Sequence, residues 1–159
     1  MENYIVINGQ KAELTYEQLK ALGLVEPSPF EREKDARYWV INSIGQVELD
    51  EDMETNCDDI RHSIANYCTD REMMQQQAYR ETLNRLLWRY SMEHKGDVGV
   101  YSPCRWNISY DYTKSKFEVG YSPCCKLIGT VYFATEEIAE NAITEIIEPF
   151  MAEHPDFKF

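Results

Sequence analysis

The tetrapeptide Tyr-Ser-Pro-Cys occurs twice, at residues 101–104 and 121–124, and Cys125 follows the second copy. Two thiolates at neighbouring strand ends could hold zinc, with Cys57, Cys68, Cys124, His62 or His94 completing a tetrahedral site. Zinc ligands usually come in Cys-x2–4-Cys or His-x3–5-His pairs. This chain has an adjacent Cys-Cys pair and no such spacing. Buried free thiols and hairpin ends account for its five cysteines, and in a reducing compartment they are expected to stay reduced. The expectation is therefore no metal and no cofactor. A zinc-stabilised binding module, with Cys104, Cys124 and Cys125 as first ligands to test, is kept as an alternative.

The second concentration of reactive groups is acidic. Glu48, Asp50, Glu51, Asp52, Glu54, Asp58 and Asp59 fall within twelve residues that contain no Lys or Arg. Asp50, Asp52 and Glu54 alternate as in a calcium loop. An EF-hand needs Gly at position 6 and Glu at position 12 of that loop, and this chain has Thr55 and Arg61 there. The run reads instead as a solvated loop or a surface for a basic partner. From Leu127 to Phe157 there is again no Lys or Arg, while Glu136, Glu137, Glu140, Glu145, Glu148, Glu153 and Asp156 occur. Glu136, Glu140 and Glu148 join the first run as candidate partner-binding residues.

Catalysis finds little support. His62, His94 and His154 are isolated in sequence, and there is no phosphate-binding glycine loop or Gly-x-Ser-x-Gly elbow. The chain is read as a non-enzyme.

The elements that must position these residues follow from local signals. Asn8-Gly9 between two short apolar-bearing runs predicts a hairpin pairing Ile7 with Gln10 and Ile5 with Ala12. Thr15 and Gln18 form a capping box for a helix over about Tyr16–Leu22, stopping at Gly23. Residues 25–36, with two prolines and dense charge, read as a connecting segment. A second hairpin runs from Tyr38 to Asp50 and turns at residues 42–45, with Tyr38, Val40, Val47 and Leu49 on one face. A short strand is expected near residues 63–68. Thr69 and Glu72 suggest another capping box, opening a helix from about Asp70 to His94. That helix carries Tyr79, Leu83, Leu86, Leu87 and Tyr90 at 3.6-residue spacing.

A third hairpin is expected to turn at Thr113–Lys116. Its pairs are Tyr112 with Phe117, Tyr110 with Val119 and Ile108 with Tyr121, which continue to Cys104 opposite Cys125. Trp106, Ile108, Tyr110, Val119 and Tyr121 form its buried face. A strand over residues 129–133 returns beside Val119. Thr135 then caps a last helix whose buried stripe is Ile138, Ala142, Ile143 and Ile146, ended or kinked by Pro149. The fold class is α+β: antiparallel hairpins with a short N-terminal helix, a long central helix and a C-terminal helix packed on one face. One domain is expected over residues 1–159, with 1–24 an N-terminal hairpin and helix, 25–36 the connection and 37–159 the main body.

Composition sets limits. Eleven Tyr, six Phe and three Trp argue for a packed core rather than disorder. No apolar run approaches the roughly 20 residues of a membrane span, and the first residues do not resemble a signal peptide, so a cytoplasmic location is expected. A net charge of −12 opposes direct binding to nucleic acid, whose phosphates need Lys and Arg. The same charge suits a basic protein partner.

Four stretches, "IVINGQKAELTYEQLKALGL", "YWVINSIGQV", "NYCTDRE" and "GTVYFATEEIAENAI", carry a resemblance. Together they are similar to a family of small, functionally unassigned proteins of bacteriophages and prophages of Gram-positive bacteria. The resemblance implies an accessory role on a mobile element and supplies no catalytic residues. Combined with the acidic runs, it leads to the expectation of an anti-CRISPR-like inhibitor. Such a protein would bind a basic nucleic-acid enzyme of the host bacterial cell, such as a CRISPR effector or another defence nuclease. A small phage structural or packaging-associated protein is the alternative. Trp39 and Trp88 are held as anchors should the charged surfaces not bind.

Overall fold

In a computed structural model the chain is an α+β protein, and the structure describes residues 4–7, 10–94, 105–123 and 127–158. The elements are β1 (Tyr4–Ile7), β2 (Gln10–Glu13), α1 (Tyr16–Ala21), β3 (Arg37–Ile41), β4 (Val47–Glu51) and α2 (Asn56–Ser63). After these come α3 (Arg71–Glu93), β5 (Trp106–Asp111), β6 (Lys116–Tyr121), α4 (Glu136–Ala142), a π-helical segment (Ile143–Ile147) and α5 (Glu148–Glu153). The strands form three two-stranded sheets, β1–β2, β3–β4 and β5–β6. The 159 residues expected as one domain group into two compact units: residues 1–40 with 48–71, and residues 41–47 with 72–159.

In the first unit the β1–β2 register pairs Ile5 with Ala12 and Ile7 with Gln10, as the Asn-Gly turn requires. Thr15 caps α1 with its hydroxyl accepting from the Gln18 N–H, while Gln18 Oε1 accepts from the Thr15 N–H. Gly23, at φ +66°, takes the left-handed conformation that ends the helix. The small core of this unit is Tyr38, Val40 and Tyr67, with the Tyr38 and Tyr67 rings stacked at 4.1 Å. The strand expected near residues 63–68 does not form: α2 fills the preceding residues and ends at Ser63, and a turn at residues 64–65 follows it. Thr55 and Asp58 make a reciprocal capping box that starts this helix. Only Cys68 retains strand character, through an isolated bridge to Trp39. The box expected at Thr69 is also absent: α3 begins at Arg71, so Asp70 stands at the cap position, and the Thr69 hydroxyl donates to the Pro29 carbonyl.

In the second unit α3, α4 and the C-terminal residues pack on the β5–β6 hairpin. One cluster joins Leu83, Ile147, Phe150 and Phe157, with Ile108 and Phe117 against it. Another joins Tyr90, Phe133, Ala139 and Ala142, with Trp106 and Val119 against it. The expected apolar stripe of the long helix thus faces the core. The observed register pairs Tyr110 with Phe117, Ile108 with Val119 and Trp106 with Tyr121. This is displaced by two residues from the expected pairing. A two-residue shift keeps every side chain on its face, so the apolar set stays together. The cause lies in the turn. Asp111 Oδ1 accepts from the Thr113 N–H at 2.8 Å and the Lys114 N–H at 3.3 Å, and Ser115 adopts φ +51°. The loop therefore closes over residues 112–115, one residue early. The strand expected over 129–133 is reduced to a bridge between Phe133 and Trp106, so the chain returns beside β5 rather than β6.

Thr135 caps α4 as expected, its hydroxyl accepting from the Ile138 N–H. Pro149 does not end the helix. The π-helical turn before it absorbs the missing N–H, and the helix runs on to Glu153. The expected stripe packs on the core, with Ala142 buried and Ile138, Ile143 and Ile146 half-buried against it, and Ala139, Ile147 and Phe150 are buried beside them. The C-terminal residues are held on α3 by the Gln76 side chain. Its amide donates to the Asp156 carbonyl at 2.9 Å and accepts from the Lys158 N–H at 2.8 Å.

One joint appears twice. A Trp in the first strand of a hairpin bridges a buried residue three positions before a helix start: Trp39 to Cys68 before Arg71, and Trp106 to Phe133 before Glu136. A buried tyrosine, Tyr67 or Tyr132, precedes the bridging residue each time.

Candidate interaction surfaces

The first acidic run is turned inward in part. Asp50, on β4, is half-buried, and Asp52, just beyond the strand, is completely buried. Arg32 meets it with two nitrogens, Nε to Oδ2 at 2.5 Å and Nη2 to Oδ1 at 2.9 Å. The third oxygen acceptor on Arg32 is Asp59, through Nη1. The Glu54 N–H donates to Asp52 Oδ1 as well. Backbone bonds between Asp35 and Asp52, and between Asp52 and Ala36, lay the connecting segment along this carboxylate.

Asp58 is buried beside it, serving as the third helical residue of the Thr55 box. It accepts from the Thr55 hydroxyl at 2.7 Å and from the Tyr38 hydroxyl at 2.6 Å. Arg61 donates to the Tyr38 oxygen at 2.7 Å and pairs with Asp50. Lys34 pairs with Glu54 at 2.6 Å. Thus Arg32, Lys34 and Arg61, which flank the acidic run in sequence, neutralise much of it in space.

The electrostatics follow from these contacts. The Arg32 guanidinium holds the Asp52 carboxyl below the usual carboxylate range despite its burial. The Tyr38 and Thr55 hydroxyls do the same for Asp58. Burial, followed by the neighbouring Asp58, pushes the Tyr38 phenol up to about 12. Burial also raises the Tyr67 phenol, whose oxygen has no hydrogen-bond partner in good geometry among the described residues.

Asp52 and Asp58 are therefore parts of an interior network, which corrects the expectation that the whole run is solvated. The sequence reading missed Arg32, Arg61 and Tyr38 as members of it. A signal for one of them was present, because Arg61 lies one helical turn after Asp58. Glu48, Glu51, Glu54 and Asp59 remain exposed.

The second acidic run differs. Glu136, Glu137 and Glu140 on α4, Glu145 on the π-helical segment, and Glu148 and Glu153 on α5 are exposed. Among the described residues none of these six makes an ion pair. The inner side of the same helices carries the core. This run is a continuous negative face.

No family model, curated protein or solved structure matches this chain. Its surfaces must be read from their own chemistry.

Cys104, Cys124 and Cys125, and with them the expected Cys104–Cys125 approach, lie outside the described residues. Of the other cysteines, Cys57 is exposed on α2 and Cys68 is buried in the first Trp joint, where burial raises its thiol. His62 lies edge-on to Tyr67, and His94 stacks on Tyr90. Among the described residues no three His, Cys, Asp or Glu side chains are grouped to hold a metal ion. Among them, too, no helix is long and apolar enough to cross a membrane.

Proposed function

We propose that the protein acts by binding a basic protein partner through the glutamate face of α4 and α5. In this reading it is a phage or mobile-element accessory protein that inhibits a host nucleic-acid enzyme such as a CRISPR effector nuclease. The observation that carries the reading is the run of exposed, ion-pair-free glutamates on one helical face, in a chain of net charge −12. Such a face attracts the lysine- and arginine-rich groove that a nucleic-acid enzyme presents to phosphates. Binding then occludes the groove, and the chain itself needs no catalytic group.

The test is capture of partners from a bacterial host lysate, identified by mass, followed by assay of the partner's nuclease activity. Glu140→Lys/Glu148→Lys should stay folded, lose capture at low salt and lose inhibition. Wild-type capture should fall as salt rises, since charges are screened beyond about 8 Å at physiological ionic strength. A partner that is captured equally well by the reversed variant, or that is not a basic protein, refutes the reading.

A further inference from the structure

The solvent side of α3 carries two arginines beside exposed apolar side chains, on a chain whose net charge is −12. Glu81, Arg85, Trp88, Arg89 and Met92 recur at spacings that place them in one stripe of the helix. Trp88 is 60% exposed and Met92 44%, and Arg89 is exposed with no ion pair among the described residues. Arg85 is held only by its helical neighbour Glu81, at 3.0 Å. An exposed Trp between two arginines, with a methionine a turn away, has the composition of an interface centre. On a chain with 28 acidic and 16 basic residues it is also a place where negative charge is welcome.

The molecule itself carries the complement. The glutamate face of α4 and α5 is helical, exposed and free of cations. We propose that a second copy of this chain lays its α4–α5 face on the Arg85–Trp88–Arg89–Met92 stripe, and receives the same contact in return. A twofold axis satisfies both contacts at once, because each copy offers one stripe and one acidic face. The net repulsion between two negative chains is screened at physiological salt, while the contacting groups lie well within the screening distance. The proposal shares the acidic face with the preceding reading and deepens it: self-association covers that face, so a basic partner must compete with it.

The experiment is sedimentation equilibrium of the full chain at about 0.1 mM, where contacts of micromolar strength are populated. The wild type should sediment as a dimer. Arg85→Glu/Arg89→Glu sets acid against acid and should be monomeric; Glu140→Lys/Glu148→Lys sets base against base and should also be monomeric. Mixing the two variants restores complementary charge at both contacts, so the mixture alone should regain the dimer. That recovery separates lost pairing from misfolding. A monomeric wild type overturns the proposal. So does a dimer that persists in both variants, or a mixture that stays monomeric. Arg85→Glu/Arg89→Glu leaves the acidic face intact and uncovered, so it should capture a basic partner at least as well as wild type. Its failure to do so while monomeric would count against the inhibitor reading and leave the dimer result standing.

Discussion

The two acidic runs look alike on paper and do opposite things in the fold. The run from Glu48 to Asp59 spans β4, the turn after it and the first turn of α2, and its Asp50, Asp52 and Asp58 take partners within the fold. There they meet Arg32 and Arg61 and close the first unit around Tyr38. The run from Glu136 to Glu153 lies on helical turns whose buried residues include Ala139, Ala142, Ile147 and Phe150, and its carboxylates are exposed, with Glu145 alone reaching the Tyr90 phenol among the described residues. A local absence of lysine and arginine therefore says nothing about compensation. What decides it is whether the fold brings cations from elsewhere in the chain against the run, as it brings Arg32, Lys34 and Arg61 against the first one.

That contrast is broken most sharply at Asp52. Asp52→Ala removes a buried carboxylate from a two-pronged guanidinium contact and should cost about 3 kcal/mol. Against a typical stability of about 5–15 kcal/mol this is large, and urea melts followed by circular dichroism would register it. Equal stability of the variant would show that the network contributes nothing.

Acid should separate the two regions next. Both Asp52 and Asp58 have pKa values lowered by folding. Their contribution is complete above the unfolded carboxylate value near 4 and is lost as the pH falls below it, toward the folded values. Hydrogen exchange between about pH 5 and 2.5 should show amides of residues 37–67 losing protection before those of α3. Simultaneous loss would contradict the assignment.

Tyr38→Phe keeps the stacked ring and deletes only the hydroxyl between Asp58 and Arg61. It should cost about 1–2 kcal/mol, seen as a shifted denaturant midpoint with unchanged slope.

The smallest effect belongs to the other run. Glu140→Gln/Glu148→Gln should change stability by no more than about 0.5 kcal/mol, while lowering affinity for a basic partner in low salt. A large stability loss would mean that this face, too, is internally engaged.

Much of the fold was legible because its signals are local. Thr15 with Gln18 and Thr135 each encode a cap within four residues and form as read, and the strands flanking Asn8-Gly9 pair in the expected register. The helix α2 escaped because Asp58, rather than Glu or Gln, completes its box, and its carboxylates resembled loop chemistry. The third hairpin gave its faces but not its register, since alternation cannot distinguish pairings two residues apart. That distinction rests on Asp111 capping the turn amides. The burial of Asp52 was illegible for a different reason. Its partner Arg32 lies twenty residues earlier, in a proline-bearing segment that reads as a connection. The outward glutamates of the last helix were legible because helical period and composition agree.

The clasp between Gln76 and the C-terminal residues has a consequence for the order in which the protein is made. Gln76 waits for partners 80 and 82 residues further along the chain. At roughly 5–20 residues per second, a ribosome needs about 4–16 s to supply them. During that interval Leu83 lacks Ile147, Phe150 and Phe157, which complete its cluster. The nascent second unit therefore displays an uncovered apolar helix for seconds, long enough for a chaperone to find it, and finishes folding only when Phe157 arrives.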